Sequence, residues 1–231
     1  MKRFWKHVAV EPFEGFYRVT LDGRPIRTQG GSPQVVPTPA VAEALAGEWR
    51  SQGERVDPTA FVLRDLADFA IDHVRGEREA TLAKLLEYAE TDTLCYRADP
   101  DEPLYRRQVQ LWEPLLAAGE ARHGVNLSRV SGIVHRPQPA ESMARLHQVL
   151  CAENDFTLAA LYTLAPLAAS LTVALAALED NADLPALFAA ANCEQDWQAE
   201  QWGWDPEAEE LRAARLATFE MAAKFARLAQ S

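Results

Sequence analysis

Residues 16–28, FYRVTLDGRPIRT, decide the fold class of this chain. Apolar and polar side chains alternate from residue 16 to residue 21, which is typical of a half-buried β-strand. Asp22-Gly23 follows directly, and an Asp-Gly pair between two alternating runs is a strong signal for a tight hairpin turn. The stretch therefore predicts a β-hairpin whose second strand covers residues 26–28, and short runs at 7–10 and 34–36 predict further strands beside it.

From Thr38 onward the apolar residues recur at helical spacing. We expect Thr38 to be an N-cap with Pro39 in the first helical position, and Val41, Leu45 and Trp49 then follow at i, i+4 and i+8 on the core face. Further helices are predicted over residues 63–74, 82–89, 104–116, 140–152, 156–178, 184–202 and 205–229, the last with an inner face of Leu211, Ala214, Thr218, Met221, Phe225 and Leu228.

This order of elements predicts an α+β fold, in which a small N-terminal β-rich domain packs on a larger, mostly α-helical C-terminal domain. We place the first domain at residues 1–57 and the second at residues 58–231. Residues 125–135, VNLSRVSGIVH, alternate again. A strand needs a partner, so we expect this segment to return to the N-terminal sheet.

The charge of the chain is concentrated in one window. The 231 residues carry 23 Lys and Arg against 34 Asp and Glu, a formal net charge of −11, which argues against a general phosphate-backbone binder. Residues 146–211 contain twelve acids and no Lys or Arg, so the rest of the chain, with 23 basic and 22 acidic residues, is nearly neutral. The window indicates either a solvated acidic face or a surface for a basic partner.

Residues 156–178 form an uncharged run of 23 residues, long enough to span a bilayer. The run is rich in Ala and lacks flanking Lys or Arg, so we interpret it as a buried helix kinked or split at Pro166 rather than as a membrane span. The N-terminus shows no signal-peptide core. We therefore expect a bacterial cytoplasmic location, or the mitochondrial matrix if a presequence has been removed.

The sequence contains little that indicates catalysis. It has no phosphate-binding loop, dinucleotide glycine motif, nucleophile elbow or HExxH pair, and its five His are scattered. Cys95, Cys151 and Cys193 are widely spaced, as expected of free thiols in a reducing compartment. Glu194 and Glu200 would be the best acid pair, but six residues turn a helix by about 600°, which puts them on different faces.

Residues 194–210, EQDWQAEQWGWDPEAEE, are the most informative segment. They hold three Trp and seven acids, and Gly203 with Asp205-Pro206 ends one helix and starts the next. One interpretation is a capped helix start with Trp in the core, since acids complement the positive end of a helix. The other, which we favour, is a docking surface of aromatic anchors ringed by acid for a basic partner.

At these residues the sequence resembles the assembly chaperones for the alpha subunit of the ATP synthase catalytic head, the F1 sector. The resemblance covers nearly the whole chain, and its most specific block is Trp197-Gln198, Glu200, Trp202-Gly203, Asp205 and Glu207-Ala208. Other matching positions are Arg3-Phe4-Trp5-Lys6, Leu21-Asp22-Gly23-Arg24-Pro25-Ile26-Arg27-Thr28, Glu48-Trp49 with Gln52, Thr91-Asp92, Leu94-Cys95-Tyr96-Arg97, and Gln108 with Trp112, Pro114, Leu115 and Leu116. The chain departs from the family pattern at Gln29, Gln195 and Ala169, where a Pro, a second acid and a Gly are usual.

The resemblance implies a non-enzymatic chaperone without a cofactor. Such a protein binds the unassembled alpha subunit, shields its interface and yields it to the beta subunit. The family's functional acids correspond to Glu200 and Asp205, whereas we interpret Trp49 as a core residue. Two alternatives remain open: an acidic adaptor for another basic protein, and a small-molecule enzyme that uses carboxylates or Cys95. The residues predicted to contact the partner are Glu194, Asp196, Glu200, Trp202, Asp205 and Glu207.

Overall fold

A computed structural model describes residues 2–132 and 134–230. These residues form two compact units. Unit 1 runs to Glu79 and also contains Asn154–Ala160 and the residues from Lys224 onward, whereas unit 2 contains Ala80–Glu153 and Leu161–Ala223. Each unit is thus assembled from separated segments. The predicted domain boundary at residues 57–58 is a simpler division and stays a prediction.

Unit 1 contains a three-stranded antiparallel sheet of β1 (Val8–Phe13), β2 (Phe16–Leu21) and β3 (Arg24–Pro25), in that order. Asp22 and Gly23 join β2 to β3 with φ of 49° and 79°, the double positive φ that a two-residue hairpin turn requires. The hairpin is therefore confirmed. Its second strand, however, is shorter and starts earlier than the predicted 26–28.

Helix α1 (Pro39–Ser51) packs against β1 and β2. Thr38 is the N-cap, as predicted: its hydroxyl accepts a hydrogen bond from the Val41 amide at 3.1 Å. Trp49 is buried, with its ring centroid 5.0 Å from that of Trp5 and 4.5 Å from that of Phe61. This aromatic cluster confirms the interpretation of Trp49 as a core residue.

Helix α2 (Val62–Phe69) continues into a π-helical turn over Ala70–Val74. The residue before α2 offers no side-chain cap. Glu48 supplies the cap from α1, since its carboxylate accepts hydrogen bonds from the amides of Leu63 and Arg64 at 2.7 and 2.9 Å. A residue of the family pattern thus serves to start a neighbouring helix.

The rest of the chain is mostly helical, which confirms the α+β fold class. Unit 2 is centred on buried residues such as Trp112, whose indole N–H donates to the Ala190 carbonyl at 2.7 Å. The remaining helices are α3 (Arg78–Glu90), α4 (Pro103–His123), α5 (Ala140–Ala152), α6 (Asp155–Ala168), α7 (Leu171–Ala176), α8 (Leu184–Ala191), α9 (Cys193–Trp202) and α10 (Pro206–Gln230).

The expectation that residues 125–135 return to the N-terminal sheet is wrong for the residues described there, which exclude Ile133. Strand β5 (Val130–Ser131) pairs in parallel with β4 (Tyr96–Arg97) in a separate two-stranded sheet. The preceding Arg129 explains the placement, because its guanidinium donates to the carboxylates of Glu113 at 2.9 Å and Glu120 at 3.0 Å, both on α4. These ion pairs hold the segment within unit 2.

The uncharged run is divided into α6 and α7, but not at Pro166, which lies inside α6. The break falls at Ala169, which has a positive φ of 47°, and the Ser170 hydroxyl then caps α7. In the part of the chain that the structure describes, no helix is long and apolar enough to cross a membrane.

The inner face of α10 differs from the predicted one. Of the six predicted residues only Phe225 is fully buried, and Leu211 is 61% exposed. The aromatic partners explain the difference, since Phe219 packs on Phe188 and Phe225 on Phe156. The buried residues of the helix are Phe219, Ala222, Ala223, Phe225, Ala226 and Ala229.

Candidate functional site

The corner between α9 and α10 is built around one glycine. Gly203 has φ 89° and ψ 157°, a conformation that only glycine adopts without strain. Its amide donates to the Ala199 carbonyl at 2.8 Å and so closes the end of α9. Three residues separate the end of α9 at Trp202 from the start of α10 at Pro206. Trp202, the last residue of α9, and Trp204 therefore flank Gly203 at this corner.

Asp205 starts α10. Its Oδ1 accepts hydrogen bonds from the amides of Glu207 at 3.0 Å and Ala208 at 3.2 Å, the geometry of a helix N-cap. Asp205 and Glu207 are both exposed, and Glu209 and Glu210 follow on the exposed first turns. The predicted cap is confirmed. The carboxylates complement the positive end of the helix and also present a concentrated negative charge to solvent.

Large apolar side chains are exposed at the same corner. Trp202 is 81% exposed, Trp204 38% and Leu211 61%. Leu211 lies four residues after Glu207, so the two occupy one face of α10. We call the set Trp202, Trp204, Asp205, Glu207 and Leu211 the corner surface. It combines apolar anchors with acids, and the core interpretation does not hold for Trp202.

Glu200 lies one turn before the corner and has a basic partner. Both terminal guanidinium nitrogens of Arg107, on α4, bind its carboxylate, with Nη2 2.7 Å from Oε1. The hydrogen bonds from Arg107 lower the pKa of Glu200 below its ordinary value. The same guanidinium lies 5.7 Å from the ring centroid of the half-buried Trp197. Glu200 remains half exposed, so the pair is accessible to solvent.

Two of the other predicted contact residues also have partners within unit 2. Asp196 forms a two-pronged ion pair with Arg212 at 2.7 and 2.6 Å, and its side chain is only 15% exposed. This pair joins α9 to α10. Glu194 accepts a hydrogen bond at 2.8 Å from the buried Gln108. The structure therefore places Trp202, Asp205 and Glu207 outward, whereas Glu194, Asp196 and Glu200 have hydrogen-bond partners of their own. Their role in binding stays a prediction.

Sequence reasoning missed the arginines that balance the acidic window. Arg107 lies 93 residues before Glu200 in sequence, and nothing in the local spacing indicates their pairing. Arg212 follows the window directly and contacts two aromatic rings as well as Asp196, at 5.4 Å from Phe188 and 5.7 Å from Trp204. Part of the window is thus neutralised by the fold, and four of its exposed acids, Asp205, Glu207, Glu209 and Glu210, lie at the start of α10.

The geometry gives little support to catalysis. Burial raises the pKa of the Cys95 thiol to about 12, so the thiol stays protonated at neutral pH and is a poor nucleophile. Glu194 and Glu200 have separate partners, Gln108 and Arg107. Across residues 2–132 and 134–230, no group of three His, Cys, Asp or Glu is placed to hold a metal ion.

An α+β chain with an exposed aromatic and acidic corner has the features of a protein that binds another polypeptide. The sequence profile of the family described as "ATP12 chaperone protein" matches residues 2–120. The chain belongs to the ATP12 chaperone family. This membership confirms the resemblance to the ATP synthase assembly chaperones and identifies the chain as a chaperone rather than an enzyme.

Individual relatives agree with this assignment. The chain is 28% identical over 222 residues to the mitochondrial protein atp12 of Schizosaccharomyces pombe, which covers 91% of this chain and 76% of the relative. The crystal structure of Atp12 from Paracoccus denitrificans superimposes with a TM-score of 0.94 at 36% identity, over 99% of this chain and 98% of that one. An Asp-to-Lys mutant of the same protein superimposes with a TM-score of 0.94 at 36% identity, over 99% of this chain and 97% of that one. The crystal structure of the Atu1473 protein of Agrobacterium tumefaciens superimposes with a TM-score of 0.93 at 37% identity, over 100% of this chain and 86% of that one.

Proposed function

We propose that this chain binds the unassembled alpha subunit of the F1 sector of ATP synthase, shields its interface and promotes F1 assembly. The corner surface is the binding site in this proposal. The observation that carries it is Trp202, a tryptophan that is 81% exposed and lies three residues before the acidic start of α10 at Asp205. An exposed tryptophan beside acids has the composition of an interface anchor.

The charge of the corner suits a transient complex. An unassembled subunit exposes apolar surface that aggregates, so a chaperone has to cover that surface and later release it. Carboxylates on the rim accelerate association with a basic partner and contribute less to the lifetime of the complex. Glu200 adds a further carboxylate if the partner displaces Arg107 from it. The proposal therefore predicts fast, salt-sensitive capture.

Charge reversal at Glu207 tests the site. Glu207→Lys should leave the fold intact and weaken capture of isolated alpha subunit, measured by pull-down and by suppression of its aggregation at low and high salt. Glu141→Lys is the matched control, because Glu141 is also an exposed first-turn glutamate, on α5. Both changes cost the same helix-end interaction, about 0.3–1 kcal/mol. Equal capture by the two variants would remove the corner surface as the binding site.

Asp205 needs a different substitution, because lysine there also removes the cap of α10, at a cost of about 1 kcal/mol. Asp205→Asn keeps a capping side chain and removes only the charge. We expect weaker capture with unchanged circular dichroism.

If the native chain instead pulls another basic protein from lysate and leaves the alpha subunit unbound, it is an adaptor of another kind.

We also propose that the protein acts in the bacterial cytoplasm or the mitochondrial matrix. The relatives support this placement, since they include a mitochondrial protein and proteins of two bacteria. Fractionation of the native host followed by immunoblotting tests it.

A further inference from the structure

Unit 2 contains an apolar cavity of about 360 Å³ between α4, α7 and α8. This volume lies within the range of natural ligand pockets, about 300–1,000 Å³. Leu111, Leu115 and Ala118 line it from α4, and Ala186 and Leu187 line it from α8. The cavity is separate from the corner surface, none of whose residues line it.

The α4 side of the cavity is an apolar stripe that is partly exposed to solvent. Leu111, Leu115 and Ala118 recur at i, i+4 and i+7, the spacing of a helix face that packs against another element. Trp112 and Leu116, on the adjacent face, are completely buried, whereas Leu111 remains 37% exposed. The stripe thus has the character of a contact face that this chain leaves open.

The charged side chains that line the cavity are both acids, Glu179 and Asp183. Burial and the neighbouring Arg122 lower the pKa of the lining His123, which is therefore neutral at pH 7. Glu179 is paired with Arg122 at 2.8 Å, and Arg145 is turned to the His123 carbonyl at 2.9 Å. The exposed Asp183, which caps α8, is therefore the lining carboxylate that can meet a cation. An apolar group with an attached cation therefore fits the cavity better than one with an attached anion.

We infer that this cavity is a second binding pocket, which receives a large apolar side chain, leucine or phenylalanine, flanked by Lys or Arg on a segment of the alpha subunit. The occupant rests on the proposed function. The pocket adds a concave apolar site to the exposed anchors of the corner surface, and a helix with such anchors is a common way for one protein to fill the groove of another.

The test uses a synthetic amphipathic peptide with Leu on one face and Lys on the other, and a second peptide with Glu in place of every Lys. Titration calorimetry should show binding of the Lys peptide to the full-length protein and weaker binding of the Glu peptide. Ala118→Trp fills the pocket from α4. It should lower the affinity for the Lys peptide by roughly tenfold or more, because the burial of a whole apolar side chain is lost.

Ala117→Trp is the matched control, because Ala117 is the neighbouring exposed alanine of α4 and does not line the cavity. Ala186→Trp, from the exposed side of α8, is a second blocking variant in case Ala118→Trp fails to fold. Thermal melts establish folding of all three. The pocket proposal is overturned if the peptide binds the blocked and control variants equally, if no peptide binds, or if the Glu peptide binds as well. It is also overturned if Ala118→Trp changes only the oligomeric state.

The same variants separate this proposal from the proposed function. If the native chain fails to capture alpha subunit, the proposed function fails whatever the peptides do. If it captures alpha subunit and Ala118→Trp does so as well as Ala117→Trp, the pocket proposal alone fails.

Discussion

Arg107 donates hydrogen bonds from both terminal guanidinium nitrogens to the carboxylate of Glu200, and its guanidinium lies over the ring of Trp197. One arginine of α4 thus occupies a carboxylate that resemblance to the family assigns to partner binding. A basic residue of the alpha subunit would have to compete with Arg107 for Glu200. Arg107 is therefore an internal competitor in the proposed complex.

Removal of this competitor should strengthen binding. We expect Arg107→Gln to raise the affinity for alpha subunit by about threefold at low salt, because Glu200 is released, and by less at high salt, where exposed charges are screened. Surface plasmon resonance at two ionic strengths measures the change. Arg50→Gln is the control, since Arg50 also pairs with an exposed glutamate, Glu43. Weaker binding by Arg107→Gln than by the control would show that Arg107 itself contacts the partner.

Removal of Trp202 should affect binding, whereas removal of Trp49 should affect stability. Trp202→Ala should weaken capture of alpha subunit with little change in the free energy of unfolding, because the side chain is mostly in solvent. Trp49→Ala should destabilise the fold by about 3–5 kcal/mol, since it empties the cluster with Trp5 and Phe61. Urea denaturation gives the stabilities. A large loss of stability in Trp202→Ala would contradict the exposed placement of this side chain.

Ala169→Gly should stabilise the protein. Ala169 has a positive φ of 47°, which costs a residue with a Cβ about 1–2 kcal/mol. Glycine removes this strain, but its greater freedom in the unfolded chain offsets part of the gain in stability. We expect a net gain of about 0.5–1 kcal/mol, visible as a higher melting temperature. Ala168→Gly, at the buried last residue of α6, should lower the melting temperature instead, because it removes a buried methyl group and a helix-favouring residue. Destabilisation by both changes would refute the account of the break.

Glu113 should contribute to acid unfolding. Hydrogen bonds from Arg97 and then Arg129 hold the pKa of its carboxyl below the ordinary value of about 4.5. The unfolded chain therefore binds more protons just below pH 4.5. The stabilisation is complete above that pH and is lost as the pH falls through the folded-state pKa. Glu113→Gln should flatten the fall of melting temperature below pH 4.5, measured by calorimetry, and parallel curves for the two proteins would exclude this role.

Local rules were sufficient for much of the fold. The Asp22-Gly23 turn and the Thr38 and Asp205 caps all follow from short-range chemistry that the sequence displays. Strand pairing at Val130–Ser131 does not, because a two-residue strand is placed by the ion pairs of Arg129 and not by its own pattern.

The candidate site was predictable in part. The outward Trp202 and the acidic first turn of α10 agree with the composition of the segment. The ion pairs of Asp196 and Glu200 depend on arginines that only the tertiary fold brings near. Leu111 and Leu211 show the limit of apolar patterning, which marks a contact face but does not say whether the contact lies within the chain.

Both hydrogen bonds that cap α10 end on the same oxygen of Asp205, Oδ1. The second oxygen is not used by either amide. A visiting lysine or arginine can therefore bind Asp205 through Oδ2 while the first turn keeps its hydrogen bonds. In the proposed complex, binding and release of such a side chain at Asp205 then need no unwinding of the first turn of α10.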